Sequence, residues 1–288
     1  SPTPTLSVDS GRRGRCGCGV AEPKGIERRR SDFNTHGCGE TRVVHNHKKD
    51  STMAKQICYN CGIELEDKDV TREHIPARNL FEGYDEKYKV NRITVSACAK
   101  CNGQYSPTDE EFRNMIGIIA KKKENNKITE KSVRSIMRKD PSGQRLVIDN
   151  FGKVSGVTFN EVPIENYHKK NFKGLFYYQY GRILTDDYEL FVNIDENDWS
   201  NMTLGILGYL KELFNWKHSG HPEIMKYVIQ PFRLGITNED KQDLVPMDNE
   251  NMFVGYLDYN NEHSALVIAV RKGWLEEIKI KKNGSAQQ

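Results

Sequence analysis

The chain has no apolar run approaching eighteen residues, and its mean hydropathy is −0.73, so no membrane-spanning helix is expected. A Walker loop and a dinucleotide fingerprint are both missing, which removes the commonest nucleotide-binding signatures. A disulfide framework of the secreted kind is missing too. There are seven cysteines in 288 residues, and four of them fall in two short pairs. A reducing, cytoplasmic setting fits that usage. No methionine precedes Met53, and residues 1–52, rich in Gly, Arg, Ser, Pro and Thr, show no hydrophobic periodicity. They are expected to form a disordered tail or a non-native extension, with Met53 as the natural start. Cys16, Cys18 and Cys38 with His36, His45 and His47 are too irregularly spaced for a metal site there.

What is present suffices for a folded core. Apolar residues make up 36% of the chain, with thirteen Tyr and eleven Phe, and the length allows two domains. Charge is unevenly divided. Of a net +3, residues 1–52 contribute +4 and the remainder −1. Between Arg113 and Lys139, however, nine Lys and Arg face only Glu124 and Glu130. This basic run, including Lys121, Lys122, Lys123 and Lys127, is where nucleic-acid phosphates are expected, with an ordinary solvated helix face as the alternative.

The most informative spacing is Cys58-x-x-Cys61, thirty-six residues, then Cys98-x-x-Cys101. Two such turns bring four sulfurs onto one tetrahedral ion, so a structural Zn2+ on Cys58, Cys61, Cys98 and Cys101 is expected. Four thiolates leave that ion no open position, and it should not activate water. The enclosed segment is too long for a bare loop and must carry structure of its own.

Four pieces in order, Cys58-Tyr59-Asn60-Cys61-Gly62, Thr71-Arg72-Glu73-His74-Ile75-Pro76, Asn91-Arg92-Ile93-Thr94-Val95 and Cys98-Ala99-Lys100-Cys101-Asn102, resemble the zinc-stapled branch of the HNH endonucleases, whose core is a ββα-metal fold. The resemblance covers about a fifth of the chain. It implies a phosphodiester hydrolase in which His74 is general base, Glu73 and Asn102 hold Mg2+ or Mn2+, and Asn91 orients the imidazole. Arg78 would touch a flanking phosphate. Glu73 stands where Asp is usual, and Asn102 where many members have His, which leaves the choice of metal open. The partner implied is nucleic acid, with DNA the first expectation. The alternatives are a non-catalytic zinc-finger adaptor and a nuclease effector of a defence or toxin system.

The fold expected is α+β: an N-terminal zinc-stapled ββα domain over 53–141, including the basic helices, then a separate α+β domain over 142–288 of unknown role. Ser106-Pro107 and Thr108-x-x-Glu111 predict a helix start with a capping box, so Asp109, Glu110 and Glu111 read as first-turn acids rather than ligands. A second helix is predicted over about 129–138 and another over 167–180. Strands are predicted at 145–148, 156–159, 188–194, 252–259 and 265–270. His168, His218, His221 and His263 show no ligand spacing, apart from a chance His218-x-x-His221.

Overall fold

The computed structural model describes residues 56–119, 126–194, 216–234, 244–245, 250–274 and 276. The fold is α+β. A short hairpin, β1 (Gln56–Ile57) and β2 (Glu64–Leu65), precedes a second hairpin of β3 (Thr71–Ile75) and β4 (Ile93–Ala97). Helices α1 (Ala99–Gln104), α2 (Ser106–Ile119) and α3 (Asn126–Lys139) follow. Then come the hairpin β5 (Leu146–Ile148) and β6 (Val154–Val157) and the long helix α4 (Glu161–Tyr180). The remaining strands are β7 (Tyr188–Asn193), β8 (Lys217–His218), β9 (Met225–Pro231), β10 (Arg233–Leu234), β11 (Leu244–Val245), β12 (Met252–Tyr259) and β13 (His263–Arg271). Five of them form an antiparallel sheet ordered β7-β13-β12-β9-β8.

Period-two patterning explains the sheet. On β12, Phe253, Leu257 and Tyr259 join one buried cluster, while Met252, Val254 and Tyr256 join another with Phe232 and Trp274. Alternate residues of a strand point to opposite faces, so both faces of this sheet are covered.

Helix α4 lies between that sheet and the ββα unit. Asn160 caps its start by accepting from the Val162 N–H at 3.1 Å. One face carries Tyr167, Lys170 and Gly174: Tyr167 stacks on Phe112 of α2 with ring centroids 3.8 Å apart, and Gly174 meets Ile75 of β3. The other carries His168, Phe172 and Phe176, against His263, Gly255 and Phe253 of the sheet. Residues three, four and seven apart share a face of a helix, and a helix with two packed faces is not amphipathic in the usual one-sided way. A Cβ on Gly174 would collide with Ile75 Cδ1, so glycine lets α4 approach β3 this closely without displacing that side chain.

The core is therefore continuous across the expected boundary at 141/142. One buried cluster holds Cys58, Ile75 and Phe112 together with Phe172, Leu257 and Ala269, and the described residues all belong to one compact unit. The loop after β8 reinforces the join: Ser219 Oγ donates to the Ile75 carbonyl and accepts from the Ile93 N–H at 2.9 Å. The expected elements appear with shifted ends, α3 and α4 starting earlier and β13 running longer than the sequence indicates. Thr108, expected as an N-cap, lies inside α2, two residues after its start. Among the described residues no helix is long and apolar enough to cross a membrane.

Candidate active site and metal cage

Two buried polar centres flank the β3–β4 hairpin. The first is built by two turns. Cys58 and Cys61 sit in a tight knuckle in which the Cys58 carbonyl accepts from the Gly62 N–H at 2.9 Å, with Gly62 at φ +72°, a left-handed position suited to glycine. Cys98 is the N-cap of α1, and its sulfur accepts from the Cys101 N–H at 3.3 Å. Asn60 Nδ2 donates to Cys101 Sγ at 3.4 Å. The four sulfurs lie within 4.8 Å of one another. A tetrahedral ion with bonds of about 2.3 Å would place its sulfurs about 3.8 Å apart, so the cage is of the right size to hold a metal. Burial raises the Cys58 thiol, but the N–H groups of Cys61, Cys98 and Asn60 outweigh it and hold Cys58 near 7, whereas burial pushes Cys101 up to about 12. Metal uptake by this cage would release protons.

The second centre is a cavity of about 310 Å³ lined by Arg72, Glu73, His74, Ala77, Arg78, Asn79, Asn102, Ser106 and Asp109. Strand β3 supplies Glu73 and His74, and adjacent strand residues face opposite ways. Glu73 turns inward and is 4% exposed, while His74 is half-buried and the Arg72 and Arg78 side chains are exposed. Burial, then the charges of Arg78, Arg92 and Arg72, depress the His74 imidazole to about 4, so it is neutral at neutral pH. Three buried polar atoms of residues lining this cavity have no hydrogen-bond partner: Glu73 Oε2, His74 Nδ1 and Asn79 Oδ1. Unpaired buried polar atoms are rare, and three of them belong to residues that line this one cavity.

Lys170 of α4 reaches this centre from the far side of the chain. Its side chain is fully buried, with Nζ 2.9 Å from Glu73 Oε1 and 2.6 Å from Asp109 Oδ1. Burial raises both carboxyls above their ordinary range, and the Lys170 charge offsets that only in part. Asp109 was expected only as a helix-start acid. It is a cavity-lining ion-pair partner instead, because α4 packs its Lys170 face on the first turn of α2. The other two acids also bind cations: Glu111 pairs with Arg145, and Glu110 with Lys139, Arg138 and Arg113. The Lys139 and Ser135 contacts hold Glu110 near 2.

Of the expected residues, the cavity brings together Glu73, His74, Asn102 and Arg78. It does not include Asn91, whose exposed residue sits at φ +56° and whose carbonyl accepts from the Gly220 N–H at 3.0 Å. That is a turn role, and the His74 ring is not oriented by it. Within the basic run, Arg113 is buried, donating to Asn114 Oδ1 at 2.7 Å, and Lys131 pairs with Glu82 at 2.6 Å. With Arg138 and Lys139 on Glu110, these ion pairs tie α2 to α3 and to Glu82 after the 78–81 turn. Lys127 is exposed, at the start of α3 and away from the cavity lining. Lys121, Lys122 and Lys123 lie outside the described residues, as do 1–52 with their cysteines and histidines.

Sequence reasoning missed Asp109, Lys170, Arg72 and Asn79 as parts of this site. Arg72 carried a signal, two residues before His74 and so on the same strand face. Lys170, 97 positions from Glu73, carried none. The structure likewise pairs the buried His168 Nε2 with the half-buried His263 Nε2 at 3.0 Å, and desolvation pushes both below the usual imidazole range. His218 and His221 do not form a chelate: His218 Nδ1 bonds to the Gly220 carbonyl and His221 Nε2 to the Lys87 carbonyl.

Comparison with known proteins adds no name. No family model, no curated protein and no solved structure matches the chain.

Proposed function

We propose that the chain is an HNH-type endonuclease, hydrolysing phosphodiester bonds of nucleic acid, DNA first, at the cavity beside His74, with Zn2+ as the structural ion of the cysteine cage. The observation that carries this reading is the convergence of a neutral His74 imidazole, its Nδ1 unpaired, with Arg72, Arg78 and Asn102 around one cavity. The four sulfurs suit Zn2+, a borderline-soft ion that thiolates hold at tetrahedral distances. It would pin the ββα hairpin and leave chemistry to the neighbouring cavity.

In this mechanism the arginines bind the phosphate and His74 takes a proton from a water aimed at phosphorus. The water oxygen forms the new P–O bond as the bond to the 3′ oxygen breaks, and that oxygen is protonated from solvent. An imidazole depressed to about 4 is a weak base. Arrival of the phosphate offsets the Arg72 and Arg78 charges and raises its basicity toward the working range, so the base is strengthened by its own substrate.

The Mg2+ or Mn2+ that the resemblance assigns to Glu73 and Asn102 does not fit the residues as they stand. Glu73 Oε1 is already bound to a buried ammonium, and among the described residues the four cysteines are the one group of three or more Cys, His, Asp or Glu gathered at ligand distances. No step is routed through such an ion.

A supercoiled-plasmid nicking assay, with a parallel RNA substrate, tests the proposal. Wild type should cut, and His74→Ala should lose cutting while keeping its zinc content and circular dichroism. Cutting by His74→Ala at the parent rate overturns the assignment of the base. Retention of nucleic acid by wild type without any cleavage favours the adaptor instead.

A further inference from the structure

A lysine ammonium removed from water is costly unless charge and hydrogen bonds compensate it. Lys170 is compensated by two carboxylates from different elements, Glu73 of β3 and Asp109 of α2, and its Nζ also stands 5.5 Å and 5.7 Å from the Tyr105 and Tyr167 ring centroids. The two carboxylate oxygens are no farther apart than those two contacts together allow. Without the ammonium they would be like charges, one buried and one half-buried, beside an unpaired Glu73 Oε2, which is the donor chemistry of a hard-cation site.

We propose that Lys170 is the resident cation of this site: its ammonium, held between Glu73 and Asp109, occupies the place of a divalent metal, and the chain needs no Mg2+ or Mn2+ there. Lys170 is shielded from solvent and bound on both sides, so it is a positioning residue and does not touch the phosphate. It fixes Glu73, the strand neighbour of His74, and ties β3 and α2, which both line the cavity, to α4 behind them. Asn79 Nδ2 extends the same frame by donating to the Asp109 carbonyl at 2.9 Å. The charge that the substrate meets is then supplied by Arg72 and Arg78 at the cavity edge, and the ammonium keeps the two carboxylates from repelling it. The mechanistic part rests on the hydrolase reading above; the metal-binding part does not.

The test is Mn2+ uptake by the full chain with the cysteine cage loaded with zinc, read from the electron paramagnetic resonance of free Mn2+. Wild type should leave Mn2+ free. Lys170→Met, which uncovers both carboxylates, should take up a single Mn2+, and adding Glu73→Gln should abolish that uptake. Wild-type uptake that Glu73→Gln removes overturns the proposal, as does a folded Lys170→Met that gains none. If circular dichroism shows Lys170→Met unfolded, the comparison of wild type with Glu73→Gln decides alone. In the nicking assay wild type should cut equally with Mg2+ and in metal-stripped buffer at unchanged zinc content. Lys170→Met should be slower and recover roughly tenfold or more on adding Mn2+, a rescue that a merely structural lysine would not give. Wild type cutting only with Mg2+ or Mn2+ counts against Lys170. Wild type cutting nothing under any condition defeats the hydrolase reading, while the Mn2+ measurement still judges the lysine.

Discussion

The cysteine cage and the Glu73–Lys170–Asp109 cluster lie at the same ββα hairpin, yet they are opposite in kind. One gathers four soft donors from two turns; the other gathers two hard donors with a cation already built in. The cage is made by two local turns and is of a size to hold a metal ion. The charge cluster is made by three distant elements and supplies its own counter-ion, so its integrity depends on α4 being packed in place. The comparison teaches that one hairpin can carry a cluster assembled by local turns and another assembled by tertiary packing, with the candidate site near the second.

The difference can be broken at either side. Cys58→Ser, or stripping the metal with a chelator, should have the largest effect, because structural zinc contributes an apparent binding energy of about 10–16 kcal/mol that small metal sites use for folding. Circular dichroism should show the 56–104 region lost; full structure after complete removal would refute the cage as a staple. Lys170→Met should come next, costing about 3–5 kcal/mol in chemical denaturation because it strands two buried carboxylates. Adding Asp109→Asn should recover part of that loss, a non-additivity that identifies the ion pair as the cause.

Gly174→Ala probes the packing that delivers Lys170. Its Cβ would meet Ile75 Cδ1, and overpacking of a tight core contact costs about 1–3 kcal/mol. Absence of any destabilisation would show that α4 approaches β3 less closely. The smallest effect concerns His74. Its ring should titrate near pH 4 by NMR rather than near 6.5, and Arg78→Gln should raise that midpoint. Because the folded-state value is depressed, the unfolded chain takes up the proton first as pH falls from 6.5 toward 4, and stability is lost across that window. His168 and His263, also depressed by burial, act in the same direction. A midpoint near 6.5 would mean that neither burial nor the arginines govern the ring, and an Arg78→Gln midpoint equal to wild type would remove Arg78 alone.

Much of the site was legible where chemistry follows spacing. Cys-x-x-Cys turns need only local backbone to aim two sulfurs, and the placement of Glu73-His74 between the pairs marked the strand that lines the cavity. The strands at 252–259 and 265–270 were legible from their apolar runs. Charge read in one dimension was less informative. The nine basic residues after the knuckle gave no hint that Glu82 and Glu110 pair with several of them across helices, or that a first-turn acid, Asp109, is a partner of α4.

The sequence by itself determined the α+β class, the four-cysteine cage and the presence of a histidine beside it, because those depend on patterns spanning a few residues or on two matching turns. Tertiary structure alone decided that described residues on both sides of 141/142 share one core, that Asn91 is not among the residues lining the cavity, and that Glu73 faces an ammonium. Those outcomes depend on which buried charges meet, and that is set by the packing of α4 between two faces, with contact partners 61 and 97 positions apart in the chain.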